Sequence, residues 1–265
     1  MRLAVSARTD SELARLKALL GPWAARFDAD LLETCGSTNT ELLARATAGA
    51  VSGSVLWTLE QTAGRGRRGR GWVSAPQDSL TFSVLWRFDR PASLAGLSLA
   101  VGIAVARALD LLGVKQATLK WPNDVWLDSR KLGGILVEMN QVGTRTAAII
   151  GIGLNLVAPG AVADQPVAGL ADALGKKPEA PVVLAEVLKQ LGDALSEFTT
   201  GGFAAFQSEW NQRNALAGAP VRVIDDAGET PGVCLGVDPE GALLLETATG
   251  VRTIIGGDVS LRGRA

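Results

Sequence analysis

Residues 64–71 read Gly-Arg-Gly-Arg-Arg-Gly-Arg-Gly, four glycines interleaved with four arginines. No stretch constrains the fold more. Glycine costs backbone entropy in a helix or strand, and the arginines leave no apolar face to bury. The run is therefore a loop. Its backbone N–H groups can wrap an anion while its guanidiniums neutralise charge. A disordered Arg-Gly linker that binds RNA loosely has the same composition. The flanks decide between the two. Residues 54–61 carry Val55, Leu56, Trp57 and Leu59 and read as a strand. Residues 80–88 alternate Phe82, Val84 and Trp86 with Thr81, Ser83 and Arg87, a second strand. A cationic loop pinned between two strands is a site rather than a tail.

Composition narrows the chemistry. The 265 residues are 47% hydrophobic, enough for one large domain plus a small one. The formal net charge is −1, so anion binding is local and there is no basic footprint for specific DNA. There is no histidine, which removes histidine bases, Ser-His-Asp triads and most zinc sites. Cys35 and Cys234 stand far apart, without metal spacing, and suggest a reduced, cytoplasmic setting. No signal peptide is evident. Residues 94–112 are interrupted by Arg107 and Asp110, which predicts a buried helix rather than a membrane span.

The predicted elements follow in order. Residues 10–20 form an amphipathic helix within a short N-terminal segment, 1–30. Ser37-Thr38-Asn39 opens a second helix, with Thr38 and Glu41 at capping-box spacing. A plain cap and a ligand-binding helix N-terminus both fit these three residues. A nearly all-apolar helix spans 93–112. Residues 119–127 read as a strand broken at Pro122-Asn123 and then resumed, and 131–139 as its return strand. The paired glycines Gly133 and Gly134 mark close backbone or ligand approach, with Lys131 at the hairpin mouth. A third strand, 146–156, carries Gly151 and Gly153 on one face. Residues 157–180 read as a surface connection, and helices are expected over 182–198 and 203–213. From 219 onward, five short strands separated by tight turns suggest a small β-barrel.

Gly64-Arg-Gly-Arg-Arg-Gly-Arg70, Lys120-Trp-Pro-Asn-Asp124 and Lys131-Leu-Gly-Gly-Ile-Leu-Val-Glu138 occur in one chain and in this order. In this the chain resembles the biotin protein ligases, from about residue 33 to its end. The resemblance implies an α+β fold: a mixed sheet flanked by helices, of the class II aminoacyl-tRNA synthetase and biotin/lipoate ligase type, over 31–217. A small SH3-like barrel would follow over 218–265. It implies a ligase that makes biotinyl-5′-AMP from biotin and ATP and then acylates a lysine of a biotin carboxyl carrier protein. Mg²⁺ would assist, with Asp124 as its ligand.

The same resemblance assigns residues. Ser37, Thr38, Asn39, Gln61, Gly64, Arg65, Arg67, Lys131, Gly133 and Gly134 would bind biotin. Arg65, Arg67, Arg68, Arg70, Trp72, Asn123, Asp124, Lys131 and Asn155 would face ATP. Lys131, Arg65, Arg67 and Asp124 would carry the catalysis. The chemistry itself agrees. The nucleophile is a carboxylate already ionised at neutral pH, so no histidine is needed. The difficulty is bringing two anions together, which cations relieve. The DNA-binding domain of bifunctional members is not seen, so no repressor activity is expected. An exposed sheet edge leaves room for a homodimer. A lipoate-type ligase shares the fold but would lack the Gly-Arg run. A nucleic-acid-binding protein is the rival of another class. The tryptophans at 57, 72, 86, 121 and 126, spread over strands, suit core packing better than a stacking stripe.

Overall fold

A computed structural model describes residues 7–88, 93–142, 145–160, 165–225 and 228–261. The first six residues of the expected N-terminal segment, residues 161–164 of the expected surface connection and the middle of the turn expected at 225–229 lie outside them. The chain runs α1 (Ala7–Leu20), β1 (Asp28–Cys35), α2 (Thr38–Thr47), β2 (Ser54–Gln61), β3 (Ser79–Phe88), α3 (Leu97–Leu111), β4 (Ala117–Lys120), β5 (Asp124–Leu127), β6 (Arg130–Val142) and β7 (Arg145–Asn155). It continues through α4 (Leu170–Leu174), α5 (Ala180–Gly201), α6 (Gln207–Gln212), β8 (Pro220–Asp225), β9 (Gly228–Val237), β10 (Leu243–Thr247), β11 (Gly250–Ile254) and β12 (Asp258–Leu261).

The first seven strands form one mixed sheet, ordered β1-β2-β3-β7-β6-β5-β4. β1 and β2 are parallel and the other neighbours antiparallel. Strand periodicity sends alternate residues to opposite faces. On β7, Ala148, Ile150, Ile152 and Leu154 enter the main core with α1, α3 and α5. Ala147 and Ile149 enter a smaller core with Leu42 and Ala46 of α2. Gly151 and Gly153 continue this second row, so the bare stretch of strand lies on the α2 face. α3 packs on α5 under the opposite face, which explains why α3 is apolar all round.

Several expectations shift. The strand expected to resume after Pro122 turns back instead, and β4 pairs antiparallel with β5, Lys120 opposite Asp124. Proline donates no ladder hydrogen bond, so residues 121–123 form the turn. β1, unexpected from the sequence, starts at Asp28, inside the segment expected to be helical. Its alternation is masked by charges on both faces. The helix expected from 93 begins at Leu97, after Gly96 at φ +74°. The connection 157–180 includes α4 and buried Ala168 and Leu170. The last five strands form an antiparallel sheet, ordered β11-β10-β9-β8-β12.

The connector into this second sheet lies along β4. The Leu119 N–H donates to the Arg213 carbonyl (2.8 Å), and the Ala215 N–H donates to Leu119 (2.8 Å). This covers one edge of the main sheet and leaves β1 as the other. The Trp121 indole N–H donates to the Gly241 carbonyl at 3.1 Å, tying the β4–β5 turn to the C-terminal sheet.

Leu188 of α5 is fully buried in the main core. Leu188→Ala is expected to lower unfolding free energy by about 2–5 kcal/mol, read from the urea midpoint. A midpoint unchanged from the parent would contradict the placement of α5.

Candidate active site

One cavity of about 680 Å³ opens on the α2 face, between the main sheet, the Gly-Arg segment and the C-terminal sheet. Its floor is β7. A Cβ on Gly151 would lie 2.9 Å from the Asn39 side-chain carbon Cγ, and one on Gly153 would lie 2.5 Å from the Trp72 ring. Two side chains have been removed from the strand so that Asn39 and Trp72 can rest on its backbone.

At one end the lining is polar and neutral. Ser37 is the N-terminal cap residue of α2, but no capping side chain bonds the helix, and the expected Thr38–Glu41 box does not form. Instead the Thr38 N–H donates to Gln61 Oε1 at 2.7 Å, and the Thr38 hydroxyl donates to the same oxygen at 3.1 Å. The Ser83 hydroxyl lies 2.7 Å from Thr38 Oγ1 and 2.6 Å from Asn39 Oδ1. Asn39 Nδ2 donates to Glu138 Oε2 at 2.9 Å, and Glu138 Oε1 pairs with Arg65 at 3.0 Å. A single polar chain thus runs from β2 through α2 and β6 to the first arginine of the loop. Ser37, Thr38, Asn39 and Gln61 are all buried, and each has its place in the lining.

The Gly-Arg segment is a short hairpin. Arg65 bridges to Gly71, the Trp72 N–H donates to Gly64 (2.9 Å), and the Gly66 N–H donates to Arg70 (2.7 Å). Its tip is a 3₁₀ turn over Arg67–Gly69, with Arg68 at φ +54°. Arg65, Arg67 and Arg70 line the cavity. Burial pushes the Arg67 pKa down, and Asp258 opposes that.

From the other side come Lys131 and Asp124, paired at 2.8 Å, and Asn123, whose Nδ2 donates to the Ile135 carbonyl at 2.8 Å. Lys120 also faces the cavity, 4.9 Å from the Trp126 ring centroid. Burial lowers the Lys120 pKa, partly offset by Asp124. The lining therefore sets five cations, Arg65, Arg67, Arg70, Lys120 and Lys131, against two carboxylates, Asp124 and Asp258. Such an excess in a half-enclosed space favours a multiply charged anion.

Four expected site residues lie outside the lining. Gly133 pairs with Leu154 and faces the main core, where a Cβ would meet the Leu154 side chain at 2.6 Å. Period two puts Gly134, not Gly133, toward the cavity, with room beside Lys131 and Asp124. Gly64 closes the hairpin neck against Trp72. Arg68 is not in the lining itself; it stands at the cavity's edge and donates to the Ile224 carbonyl at 3.2 Å. Asn155 is buried, and its Nδ2 donates to the Ala168 carbonyl at 3.0 Å. It anchors the segment that brings Gln165 to the cavity wall. Lys120 stands in the Lys-Trp-Pro-Asn-Asp motif with no role evident from sequence; its place opposite Asp124 appears only once the hairpin closes. Asp258 and Gln165 had no local signal at all.

The fold and the anion-collecting cavity define a ligase of the biotin/lipoate type. Residues 32–155 match the Biotin/lipoate A/B protein ligase family, and residues 217–262 match the Biotin protein ligase C terminal domain. The chain is 37% identical to the bifunctional ligase/repressor BirA of Escherichia coli over 88% of this chain and 73% of that protein. It is 33% identical to the biotin–[acetyl-CoA-carboxylase] ligase of Mycobacterium tuberculosis, covering 91% of each. The structure of the biotin protein ligase from Aquifex aeolicus in complex with biotin and ATP superposes with a TM-score of 0.77 at 29% identity, over 89% of this chain and 98% of that one. The chain belongs to the biotin protein ligase family.

Gly153→Ala is expected to push Trp72 off β7 and loosen the hairpin. Tryptic cleavage within residues 65–70 should then run several-fold faster than in the parent. Equal rates would show that the Trp72 contact does not hold the segment.

Proposed function

We propose that this chain is an ATP-dependent biotin protein ligase. It activates biotin to biotinyl-5′-AMP, releasing pyrophosphate, and transfers biotin to one lysine of a carboxyl carrier domain of the acetyl-CoA carboxylase type. The observation that carries the reading is one cavity with a neutral hydrogen-bonding end at Ser37, Thr38 and Gln61 and a cationic end at Arg65, Arg67, Arg70, Lys120 and Lys131. The Aquifex relative's complex with biotin and ATP supports it.

The ureido ring of biotin offers two N–H donors and a carbonyl acceptor, which suits hydroxyls and an amide. Thr38 saturates Gln61 Oε1, so the Gln61 amide N–H₂ is the group left to donate. The valerate chain then points along Gly134 toward the cations. In the first step a carboxylate oxygen attacks the α-phosphorus, the bond to the pyrophosphate oxygen breaks, and no proton moves. Arg65 and Arg67 from the hairpin and Lys131 from β6 lower the repulsion between the two anions. Lys120 and Arg70 hold the leaving pyrophosphate. In the second step the neutral amine of the carrier lysine attacks the acyl carbon, and the bond from that carbon to the AMP phosphate oxygen breaks. The proton lost by the nitrogen leaves to solvent with AMP, while Asp124 orients the amine. Closure of the 64–71 segment over the adenylate excludes water.

Mg²⁺ fits the site only as a shared ion. Among the described residues no cluster of three or more histidine, cysteine, aspartate or glutamate side chains could hold a metal. Asp124 offers a carboxylate, and the phosphates would supply the remaining oxygens, the usual mode for this ion. Bound there, Mg²⁺ would neutralise phosphate charge. We assign residues 31–217 to catalysis and 218–265 to a supporting SH3-like domain, and infer a cytoplasmic enzyme. No helix among the described residues is long and apolar enough to cross a membrane. Neither repressor activity nor specific DNA binding is part of this reading, given the net charge of −1. A homodimer would pair through the β1 edge, since the connector covers β4. A lipoate-type ligase is the second reading, and the cationic hairpin argues against it.

The direct test incubates the chain with biotin, ATP, Mg²⁺ and a carrier domain. A mass gain of one biotinyl group on the carrier is expected, and none with lipoate; no gain with biotin would overturn the reading. Lys131→Ala should slow biotin-dependent ATP–pyrophosphate exchange at least about tenfold, roughly 1.4 kcal/mol of barrier. An unchanged exchange rate would remove Lys131 from the chemistry. Biotin with ATP should also protect residues 64–71 from trypsin, and identical digestion patterns would argue against closure.

A further inference from the structure

Asp258 opens β12 in the C-terminal sheet, pairing with Ile224 of β8. Its carboxylate stands at the cavity wall among the arginines of the hairpin. Arg70 pairs with it closely. Arg67 lies 3.8 Å away and Arg68 4.0 Å away. The neighbouring backbone joins in: Arg67 donates to the Gly257 carbonyl at 3.3 Å and Arg68 to the Ile224 carbonyl at 3.2 Å. Three guanidiniums from one tip thus converge on one carboxylate of another sheet, close to 190 residues away in sequence.

This arrangement is an anion site filled by the protein's own anion. Three arginines crowded into one hairpin repel one another, and a counter-charge is needed to hold them together. Asp258 supplies a single negative charge. A polyphosphate supplies several, with oxygens suited to bidentate contacts from guanidinium groups. The two cannot occupy the same arginine donors at once.

We propose that Asp258 is a displaceable counter-anion: it docks the arginine hairpin on the C-terminal sheet in the empty enzyme, and the polyphosphate of the nucleotide must compete with it for Arg67 and Arg70. The proposal rests on the reading that ATP enters this cavity. It makes Asp258 a specificity-determining residue. Ligands of low charge do not displace it, whereas a triphosphate does, and displacement frees the hairpin to move onto the substrate. A carboxylate that merely organised the arginines for ATP would have the opposite consequence, because its removal would weaken nucleotide binding.

Asp258→Asn keeps the shape and removes the charge. We expect calorimetry with ATP to show affinity about three- to tenfold tighter than the parent, with AMP gaining by a larger factor, so that discrimination between them falls. We also expect trypsin to cut ligand-free Asp258→Asn faster within residues 65–70, with ATP restoring protection. Asp258→Glu should resemble the parent in both assays. Unchanged or weaker ATP binding in Asp258→Asn would overturn the proposal, as would equal cleavage of the empty proteins. Should Asp258→Asn not fold, Arg68→Gln removes one arm of the contact from the other side. It is expected to raise cleavage of the empty protein, and no rise would count against the proposal. If the parent binds no ATP, the functional reading fails instead, and the cleavage assay still decides whether Asp258 docks the hairpin.

Discussion

The close approach of two side chains to the backbone of β7 is the contact on which the rest of the site is built. Gly151 and Gly153 interrupt the row that Ala147 and Ile149 begin, and the space goes to Asn39 and Trp72. Asn39 then reaches Glu138, and through it Arg65. Trp72 closes the neck of the hairpin that carries the other arginines. A side chain at either glycine would lift α2 or the hairpin from the sheet and separate the neutral end of the cavity from the cationic one.

Charge is the second constraint. Five cations share one cavity with two carboxylates, and neither carboxylate is idle. Asp124 holds Lys131, and Asp258 holds the hairpin tip. In a protein of net charge −1 this concentration is local and results from topology. The main sheet contributes Lys120 and Lys131, the β2–β3 connection contributes the arginines, and the C-terminal sheet contributes Asp258. The second sheet is thereby part of the site, and its attachment through Trp121 and Gly241 gives it a fixed position there.

Much of this was legible in the residues. The Gly-Arg run could only be a loop, and the alternation in β3 and β7 identified the faces of the sheet. Gly151 and Gly153 marked the bare surface before any partner was known. Other features were not legible for a definite reason. Gly133 and Gly134 look equivalent in sequence, yet pleating sends one into the core and the other to the cavity. The Ser-Thr-Asn triplet looks like a helix cap, yet Thr38 spends its donors on Gln61, 23 residues away. The resemblance set Asn155 against the nucleotide, and the structure shows its amide securing the Ala168 segment.

By itself, the sequence determined most of the element types, though not β1 or α4, together with the cationic loop, the apolar faces and the family motifs. These follow from short-range effects: backbone entropy at glycine, the missing donor of proline and the periods of helix and strand. Only the tertiary structure decided which glycine faces the cavity, that Lys120 joins Lys131, and that Asp258 meets the arginines. Such facts depend on strand register and on the docking of one sheet against another. Their causes lie far apart along the chain, and no local pattern encodes the meeting point.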